Sequence, residues 1–404
     1  MRLASLLSAF VLLLIVGCTA IPTLQPSVEG PERAKRTAQA PAQQAAPVPP
    51  AAEAPAVAPA PMPPPAPTPV PAPTNVPVAT TAAEQPELSL TCRMLEAANC
   101  AYEVTEGGRL PKGFCPALKN FRDGIGFVGH DAKGLYDWLP GVKADYRDAA
   151  YIAMYPKEVL VVFRGTKTFN MTDAASLEDW INNANANLTT TSDLGNVHEG
   201  FNESLNNLWE GRSGMFRALD SLVKSPAWDR RPIYVVGHSK GGAIADLAAL
   251  KLSVNHIKPV EVFTFAAARP GGATFKQKYD EASLRTMRFE NQQDVVPHLP
   301  PTQVEVVMLE KLEKFKGKIH VGDYRSVGEL TYIATNDSLR HPKSEHDENV
   351  LGQERLATFD RFVQDHPSDE VLAEVAEAHN IGASLDSAQD AAHHRYHYAA
   401  CTER

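Results

Sequence analysis

The sequence predicts one large α/β domain, and three observations support this fold class. An apolar run from Pro232 to Val236 leads into a glycine-rich turn and then into a stretch rich in Ala and Leu that ends near Val254. This order is typical of a buried strand, a tight turn and a buried helix. Further apolar, β-branched runs at 151–163 and 260–265 predict more strands. The length from about residue 87 to residue 404 suits one domain rather than two.

The glycine-rich turn contains Gly237, Ser239 and Gly241 in a Gly-x-Ser-x-Gly pattern. In this pattern the serine lies on a sharp bend, and glycine is needed on either side because a Cβ would collide with neighbouring backbone. The bend exposes the serine hydroxyl at the carboxyl end of the sheet. The pattern alone also fits an ordinary strand-to-helix connection, but the strand before it and the helix after it favour Ser239 as a nucleophile.

The segment before this domain has two parts. Residues 1–18 contain Arg2, an apolar stretch from Leu6 to Val16 and then Gly17 and Cys18, which is typical of a secretion signal rather than a membrane span. Cys18 resembles the acylated cysteine of a bacterial lipoprotein lipobox, and Thr19 after it favours the outer membrane of the cell envelope. An ordinary signal peptide that is cleaved further along the chain is the alternative.

Residues 19–86 are rich in Pro and Ala with few aromatic or charged residues. Such a stretch buries too little apolar area to offset the entropy of ordering it, so a disordered tether is predicted. The domain at 87–404 follows it. Acidic and basic residues are interspersed and the formal net charge is −9, so no nucleic-acid partner is predicted. A partner membrane is expected only through the lipid anchor, and no pattern indicates an oligomeric state.

Four cysteines remain after Cys18: Cys92, Cys100, Cys115 and Cys401. An even number in an exported protein predicts two disulfides, with three possible pairings. Their spacing fits no zinc site.

Two further strands end in residues with suitable chemistry. The run from Val159 to Phe163 is followed by Gly165 and Thr166. Thr166 is either an ordinary turn residue, which this segment alone favours, or is placed to direct a backbone N–H and a hydroxyl into a cleft. Asp294 follows a strand predicted near 285–289 and enters a Pro-rich turn. It is either a turn residue or the acid that orients a histidine. Its position after Ser239 agrees with the chain order Ser, Asp, His.

The chain has 13 histidines, so chemistry alone does not select a base. His238 is next to Ser239 but points away on such a turn. Other histidines lie in charged or helical stretches: His320, His341, His346, His366 and His379. Those near the end of the chain are His393, His394 and His397. A metal site formed by these last three is disfavoured because no Asp or Glu has suitable spacing, and no metal or other cofactor is predicted.

Several motifs match one family together, in order and at similar spacing: Phe163–Thr166, Asp179–Trp180, Val197–Phe201, Gly237–Ala243, Thr264–Phe265 with Arg269 and Gly271, and Asn291–Pro301. They resemble the class 3 lipases, which are fungal lipase-like α/β-hydrolases. The resemblance covers roughly residues 95–301 and the last dozen residues. It implies the α/β-hydrolase fold, with a central, mostly parallel sheet flanked by helices.

The resemblance also implies an ester hydrolase that acts on lipid or other carboxylic esters through an acyl-enzyme intermediate. Ser239 matches the nucleophile and Asp294 the acid of the triad. Thr166 and the backbone amide of Lys240 match the oxyanion hole. No cofactor is implied.

The base and the disulfides are implied by a C-terminal signature of the family, in which a histidine, two residues and a tyrosine precede a terminal cysteine. His393, Tyr396 and Cys401 match this signature, which makes His393 the predicted base and His394 the alternative. In the family an early cysteine pairs with the last one. This implies Cys100 with Cys401 and leaves Cys92 with Cys115.

This chain departs from the family pattern at three places. Lys240 stands where leucine is usual, Ala266 and Ala268 replace a glycine and a proline, and the stretch from Asp323 to Asp390 is long, charged and predicted to be helical. The Lys240 ammonium either reaches solvent or a nearby carboxylate, or lies near the cleft and favours an anionic substrate.

Two alternatives to hydrolysis use the same residues. One is a transacylase, and the other is a non-catalytic surface lipoprotein that uses the hydrolase fold as a binding scaffold. The presence of candidates for Ser, Asp and His argues against the scaffold, because binding alone does not require all three.

Overall fold

The computed structural model describes residues 88–129, 148–166, 187–210, 214–310, 322–336, 338–364, 378–379, 381 and 395–402. The predicted signal segment, tether and lipid anchor at Cys18 lie outside these residues, as do His393 and His394. None of the helices in the described ranges is long and apolar enough to cross a membrane.

The strands are numbered in chain order: β1 (Gly108–Arg109), β2 (Asp123–Gly129), β3 (Asp148–Met154), β4 (Val159–Phe163), β5 (Leu188–Thr191), β6 (Gly195–His198), β7 (Ile233–His238), β8 (Glu261–Phe265), β9 (Gly271–Gly272), β10 (Thr286–Asn291), β11 (Tyr324–Arg325), β12 (Glu329–Ile333) and β13 (Leu339–Arg340). The helices are α1 (Leu90–Cys100), α2 (Glu199–Trp209), α3 (Met215–Val223), α4 (Lys240–Val254), α5 (Ala273–Glu281), α6 (Gln303–Leu309), α7 (Glu345–Gln364) and α8 (Arg395–Thr402). Short 3₁₀ turns occur at Ala101–Glu103, Pro226–Trp228 and Val296–His298.

Nine of the described strands form the main sheet, in the order β1-β2-β3-β4-β7-β8-β10-β12-β13. The pairs from β4 to β12 are parallel, whereas β1 to β4 and the edge pair β12–β13 are antiparallel. Parallel strands end at the same edge of a sheet, so the residues that follow β4, β7 and β10 meet there. This confirms the predicted α/β fold, but the sheet is mixed rather than mostly parallel: four neighbouring pairs in its centre are parallel and four pairs toward its edges are antiparallel. A smaller sheet contains β11, β9, β6 and β5.

Both faces of the main sheet are buried, as expected for parallel strands. Strand β4 is buried along its whole length. Its residues Val159, Val161 and Phe163 join one apolar cluster with α2 and α4, and Leu160 and Val162 join a second cluster with α1 and α8. This alternation follows from the two-residue period of a strand. It explains why the run is continuously apolar rather than alternating with polar residues.

Two stretches show how the fold shapes local structure, and the second differs from its predicted conformation. The stretch from Asn202 to Lys224 forms two helices, α2 and α3, and Gly214 precedes α3 with a φ of 60°, which favours glycine. The stretch from Asp323 to Asp390, predicted to be helical, contains α7 but also β11, β12 and β13. Strand β12 carries Leu330 to Ile333, all buried, and extends the main sheet beside β10. Burial in the sheet therefore determines the conformation of this part of the stretch.

The predicted disulfide pairing is wrong. The structure joins Cys92 to Cys401 and Cys100 to Cys115. Cys92 and Cys100 lie at opposite ends of α1, roughly 12 Å apart along its axis. Helix α8 packs so that the Ser89 hydroxyl, at the start of α1, donates to the Ala400 carbonyl at 3.2 Å. Cys401 therefore meets the first turn of α1 and not its last.

We expect peptide mapping without reduction to recover Cys92 linked to Cys401 and Cys100 linked to Cys115. The two bridges close loops of 309 and 15 residues. In the chain-entropy model the longer loop contributes roughly 5 kcal/mol and the shorter roughly 3 kcal/mol. Alanine at both members of the longer pair should thus lower the denaturation midpoint more than alanine at both members of the shorter pair. A peptide joining Cys100 to Cys401 would contradict this pairing.

Candidate active site

Ser239 lies on the turn between β7 and α4. Its φ of 60° and ψ of −131° are unusual for a residue other than glycine, which is the strained backbone expected of a nucleophile at such a turn. The flanking glycines are required by close contacts. A Cβ on Gly237 would lie 2.1 Å from the Gly241 carbonyl oxygen, and a Cβ on Gly241 would lie 2.3 Å from the Phe163 carbonyl oxygen. The Gly-x-Ser-x-Gly pattern therefore fits this turn for steric reasons.

The Ser239 hydroxyl is enclosed but available for chemistry. The residue is 1% exposed, and its Oγ makes no hydrogen bond within the described part of the chain. Helix α4 begins directly behind it at Lys240. The first N–H groups of a helix have no partner within the helix and carry a partial positive charge. This end of α4 is therefore suited to stabilise negative charge that develops beside Ser239.

Asp294 follows β10 at the same edge of the sheet and is 0% exposed. Its Oδ1 accepts the backbone N–H of Val296 at 2.9 Å, and its Oδ2 accepts the Tyr396 hydroxyl at 2.7 Å. Burial, with the negative charge of Asp294 second, raises the pKa of Tyr396 well above its usual value, so the tyrosine remains a donor. Tyr396 belongs to the C-terminal signature and lies on α8. These bonds fix the carboxylate in one orientation.

His379 is the histidine that pairs with Asp294, a role for which the sequence predicted His393. Its Nδ1 lies 2.9 Å from Oδ2 and 3.0 Å from Oδ1 of Asp294. Because the carboxylate is an acceptor, Nδ1 carries the proton, and in the neutral ring Nε2 is the basic nitrogen. The side-chain amide of Asn291 donates to the Ala378 carbonyl at 3.0 Å and holds the backbone beside His379.

The structure therefore makes His379 a candidate base, while His393 and its alternative His394 stay predictions. His393 and His394 lie outside the described residues, and the structure brings His379 to Asp294 instead. No local pattern marks His379, because it follows a charged stretch and lacks the spacing of the C-terminal signature. Its only signal in the sequence is its position after Asp294, which all the later histidines share.

Thr166 lies three residues beyond β4 and is half-buried. Strands β4 and β7 pair directly, with Phe163 opposite Gly237, so Thr166 and the Lys240 amide leave the sheet from neighbouring positions. The loop passes close to the nucleophile, since a Cβ on Gly165 would lie 2.9 Å from the Ser239 Cβ. Both predicted oxyanion donors thus follow strands that border Ser239.

The side chain of Lys240 turns to a carboxylate. Its Nζ lies 2.7 Å from Oδ1 of Asp148, at the start of β3. The Lys240 side chain is 20% exposed and that of Asp148 only 5% exposed. A charge this buried needs a partner, and the ammonium supplies it. Of the two interpretations of Lys240, the structure supports the one in which a nearby carboxylate holds the ammonium.

A second charged group supports the turn that carries Asp294. Arg269 donates to the carbonyls of His298 and Pro300 at 2.7 and 2.8 Å and forms a two-bond pair with Glu305. Burial disfavours the charged form of Glu305, but Arg269 and His298 outweigh it and hold the pKa of Glu305 well below its usual value. The carboxylate is therefore ionised at any physiological pH. The buried ion pair of Arg269 and Glu305 thus holds the Pro-rich turn after Asp294.

Comparison with known proteins was consistent with this geometry. Residues 160–304 match the lipase (class 3) family model. The match includes Thr166, Ser239, Lys240 and Asp294, whereas His379 and His393 lie beyond it.

The relatives that match this part of the chain are lipid hydrolases by name. Phospholipase A1-II 6 of Oryza sativa subsp. japonica is 29% identical over 195 residues, which cover 41% of this chain and 45% of the relative. Secreted mono- and diacylglycerol lipase 1 of Fusarium solani is 30% identical over 147 residues, or 36% of this chain and 40% of the relative. The chain thus spans less than half the length of these curated relatives. The triacylglyceride lipase structure of Rhizomucor miehei aligns with a TM-score of 0.45 at 18% identity, over 72% of this chain and 94% of that one.

We expect His379→Ala to lower turnover by a factor on the order of 10⁶, because removal of the base of a serine triad disables the nucleophile. Alanine at His346, an exposed residue of α7, is the matched control and should retain wild-type turnover, as should His393→Ala. The measurement is hydrolysis of a soluble ester by each variant. If His393→Ala is inactive while His379→Ala is active, the C-terminal signature supplies the base and the assignment to His379 is wrong.

Proposed function

We propose that this chain is a serine ester hydrolase that cleaves lipid or other carboxylic esters through an acyl-enzyme intermediate. The observation that carries the proposal is the placement of Ser239 on a strained turn at the sheet edge to which Asp294 brings His379. The match of residues 160–304 to the class 3 lipases supports the same chemistry.

The first half of the reaction forms the acyl-enzyme. His379 Nε2 accepts the hydroxyl proton of Ser239 as the oxygen attacks the ester carbonyl, and the carbonyl electron pair moves to oxygen. Asp294 stabilises the resulting imidazolium. The amide of Lys240 and the donors of Thr166 stabilise the oxyanion. The tetrahedral intermediate then collapses, and the alcohol leaves with the proton held by His379.

The second half releases the acid. His379 accepts a proton from water as the water oxygen attacks the acyl carbonyl, and the same oxyanion donors stabilise the second tetrahedral intermediate. Collapse breaks the bond to Ser239, which recovers its proton from His379. Each group therefore ends in its starting protonation state, and no cofactor is consumed.

A lipid ester is the substrate class that the relatives support, since their names include phospholipases A1, a galactolipase and a mono- and diacylglycerol lipase. Within the site, Lys240 is paired with Asp148 and so offers no unpaired cation to an anionic head group. We therefore propose that neutral acyl esters are cleaved at least as well as anionic phospholipids.

We expect a fluorophosphonate probe to label the full-length protein at Ser239, and Ser239→Ala to abolish both labelling and ester hydrolysis. Loss of the serine in a triad enzyme lowers turnover by a factor on the order of 10⁶. Ser253, an α4 residue with no part in the site, gives a matched control in Ser253→Ala, which should label normally.

Undiminished hydrolysis by the Ser239→Ala protein would contradict the proposal and favour a binding scaffold. A panel of neutral and anionic esters, run with an added alcohol as competing acceptor, tests the substrate class. Transfer of the acyl group to the alcohol in preference to water would identify a transacylase.

The proposal also places the domain on a lipid anchor at the cell envelope, with residues 19–86 as the tether. The support is the sequence alone: an apolar stretch that ends at Gly17, then Cys18, then a Pro- and Ala-rich segment. A tether of this composition lets the domain reach esters away from the anchor.

Cys18→Ser tests the anchor, because serine lacks the thiol that would be acylated. We expect the wild-type chain to incorporate a labelled fatty acid and to sediment with envelope membranes, and the serine variant to do neither. Equal membrane association of both proteins would contradict anchoring through Cys18.

A further inference from the structure

Two hydrogen bonds of His238 connect the two sides of the candidate site behind Ser239. His238, the last residue of β7, has Nδ1 at 2.7 Å from the Tyr102 hydroxyl and Nε2 at 2.9 Å from the His379 carbonyl oxygen. The rings of His238 and His379 lie 4.7 Å apart. The Tyr102 hydroxyl also lies against the backbone of Gly165, next to Thr166.

The chemistry of these groups fixes the direction of each bond. A carbonyl oxygen only accepts, so Nε2 of His238 carries the proton, and in a neutral ring Nδ1 is then the acceptor. The Tyr102 hydroxyl must therefore donate to Nδ1. Protons thus point one way, from Tyr102 to His238 and from His238 to the carbonyl of His379.

Both side chains stay neutral, so the direction does not reverse. Burial, with His379 second, lowers the pKa of His238 well below its usual value. Burial raises the pKa of Tyr102 far above its usual value. The fit is also close, because a Cβ on Gly165 would lie 2.3 Å from the Tyr102 hydroxyl oxygen. Glycine at this position allows the tyrosine to reach the loop that leads to Thr166.

We infer that Tyr102 and His238 are positioning residues that set the oxyanion loop and the base relative to each other across Ser239. This inference rests on the proposed ester hydrolysis. Asp294 holds His379 by its ring, and His238 holds it by its backbone carbonyl. Two contacts at opposite ends of one residue fix the place of the imidazole as well as its tilt. Tyr102 extends the same restraint to the loop of Gly165 and Thr166.

The inference is tested by Tyr102→Phe in the full-length protein, which removes one hydroxyl and keeps the ring. A misplacement of about 1 Å in a catalytic group lowers turnover by about 100-fold, so we expect kcat on a soluble ester to fall about 10- to 100-fold. KM should stay within about 2-fold, because a group that acts on the transition state changes kcat rather than binding. The rate of fluorophosphonate labelling should fall in parallel with kcat.

Tyr151→Phe is the matched control. Tyr151 is fully buried, whereas Tyr102 is half-buried, and the Tyr151 hydroxyl donates one hydrogen bond, to the Ala97 carbonyl at 2.8 Å, away from Ser239. Both variants lose one hydrogen bond and should lose similar thermal stability. Only Tyr102→Phe should lose kcat. Equal kcat in the two folded variants would overturn the inference.

His238→Gln and His238→Leu give a second test that does not depend on Tyr102. The glutamine amide donates to the His379 carbonyl as Nε2 of histidine does, and leucine does not. We expect His238→Gln to recover about 10-fold or more of the kcat that His238→Leu loses. Equal loss in both would overturn the inference, and so would normal kcat in His238→Leu.

Ser239→Ala separates this inference from the proposed function. If that variant keeps its activity, ester hydrolysis by the triad fails and the positioning role fails with it. If Ser239→Ala is inactive while Tyr102→Phe and His238→Leu turn over normally, the proposed function stands and only the positioning role is wrong.

Discussion

The buried carboxylate of Asp294 is the constraint on which the rest of the site depends. A charge removed from water costs several kcal/mol unless hydrogen bonds replace its solvation. Three donors do so here, and they come from three parts of the chain: the N–H of Val296 in its own turn, the hydroxyl of Tyr396 on α8, and Nδ1 of His379. The end of β10, helix α8 and the segment of His379 must therefore converge for the carboxylate to be stable. The same contacts that let these elements fold together therefore also assemble the site.

Helix α8 connects this requirement to the other side of the molecule. Tyr396 faces Asp294, while Ala399 and Ala400 pack in the same apolar cluster as Met94 and Leu95 of α1. Helix α1 continues into the 3₁₀ turn that carries Tyr102, whose hydroxyl reaches His238. The packing of two helices on one face of the sheet thus supports both Asp294 and the residue that precedes Ser239.

How much of this the sequence could predict depends on whether the signal is local. Ser239 and Thr166 were predictable because each follows a strand that a continuous apolar run identifies, and Asp294 because it enters a Pro-rich turn after Ser239 in the chain. The glycines around Ser239 are dictated by close contacts of the turn with neighbouring backbone. His379 was not predictable, because only its proximity to Asp294 in the folded chain distinguishes it from the other histidines. The cysteine pairing failed for a related reason: α1 offers two cysteines, and only the direction in which α8 packs decides between them. Likewise, the charged residues around β12 favour helix locally, yet pairing with β10 makes a strand.

The Cys92–Cys401 bridge has a topological consequence. Every element from β1 to β13 lies within the covalent ring that it closes, and the segment before Cys92 joins this ring from outside. A single protease cut anywhere between the two cysteines therefore opens the ring without dividing the molecule. Ser239, Asp294 and His379 remain on one connected chain after such a nick, and only reduction of the bridge releases a fragment. A chain built in this way withstands one backbone break in any of its connecting segments without losing part of the candidate site to diffusion.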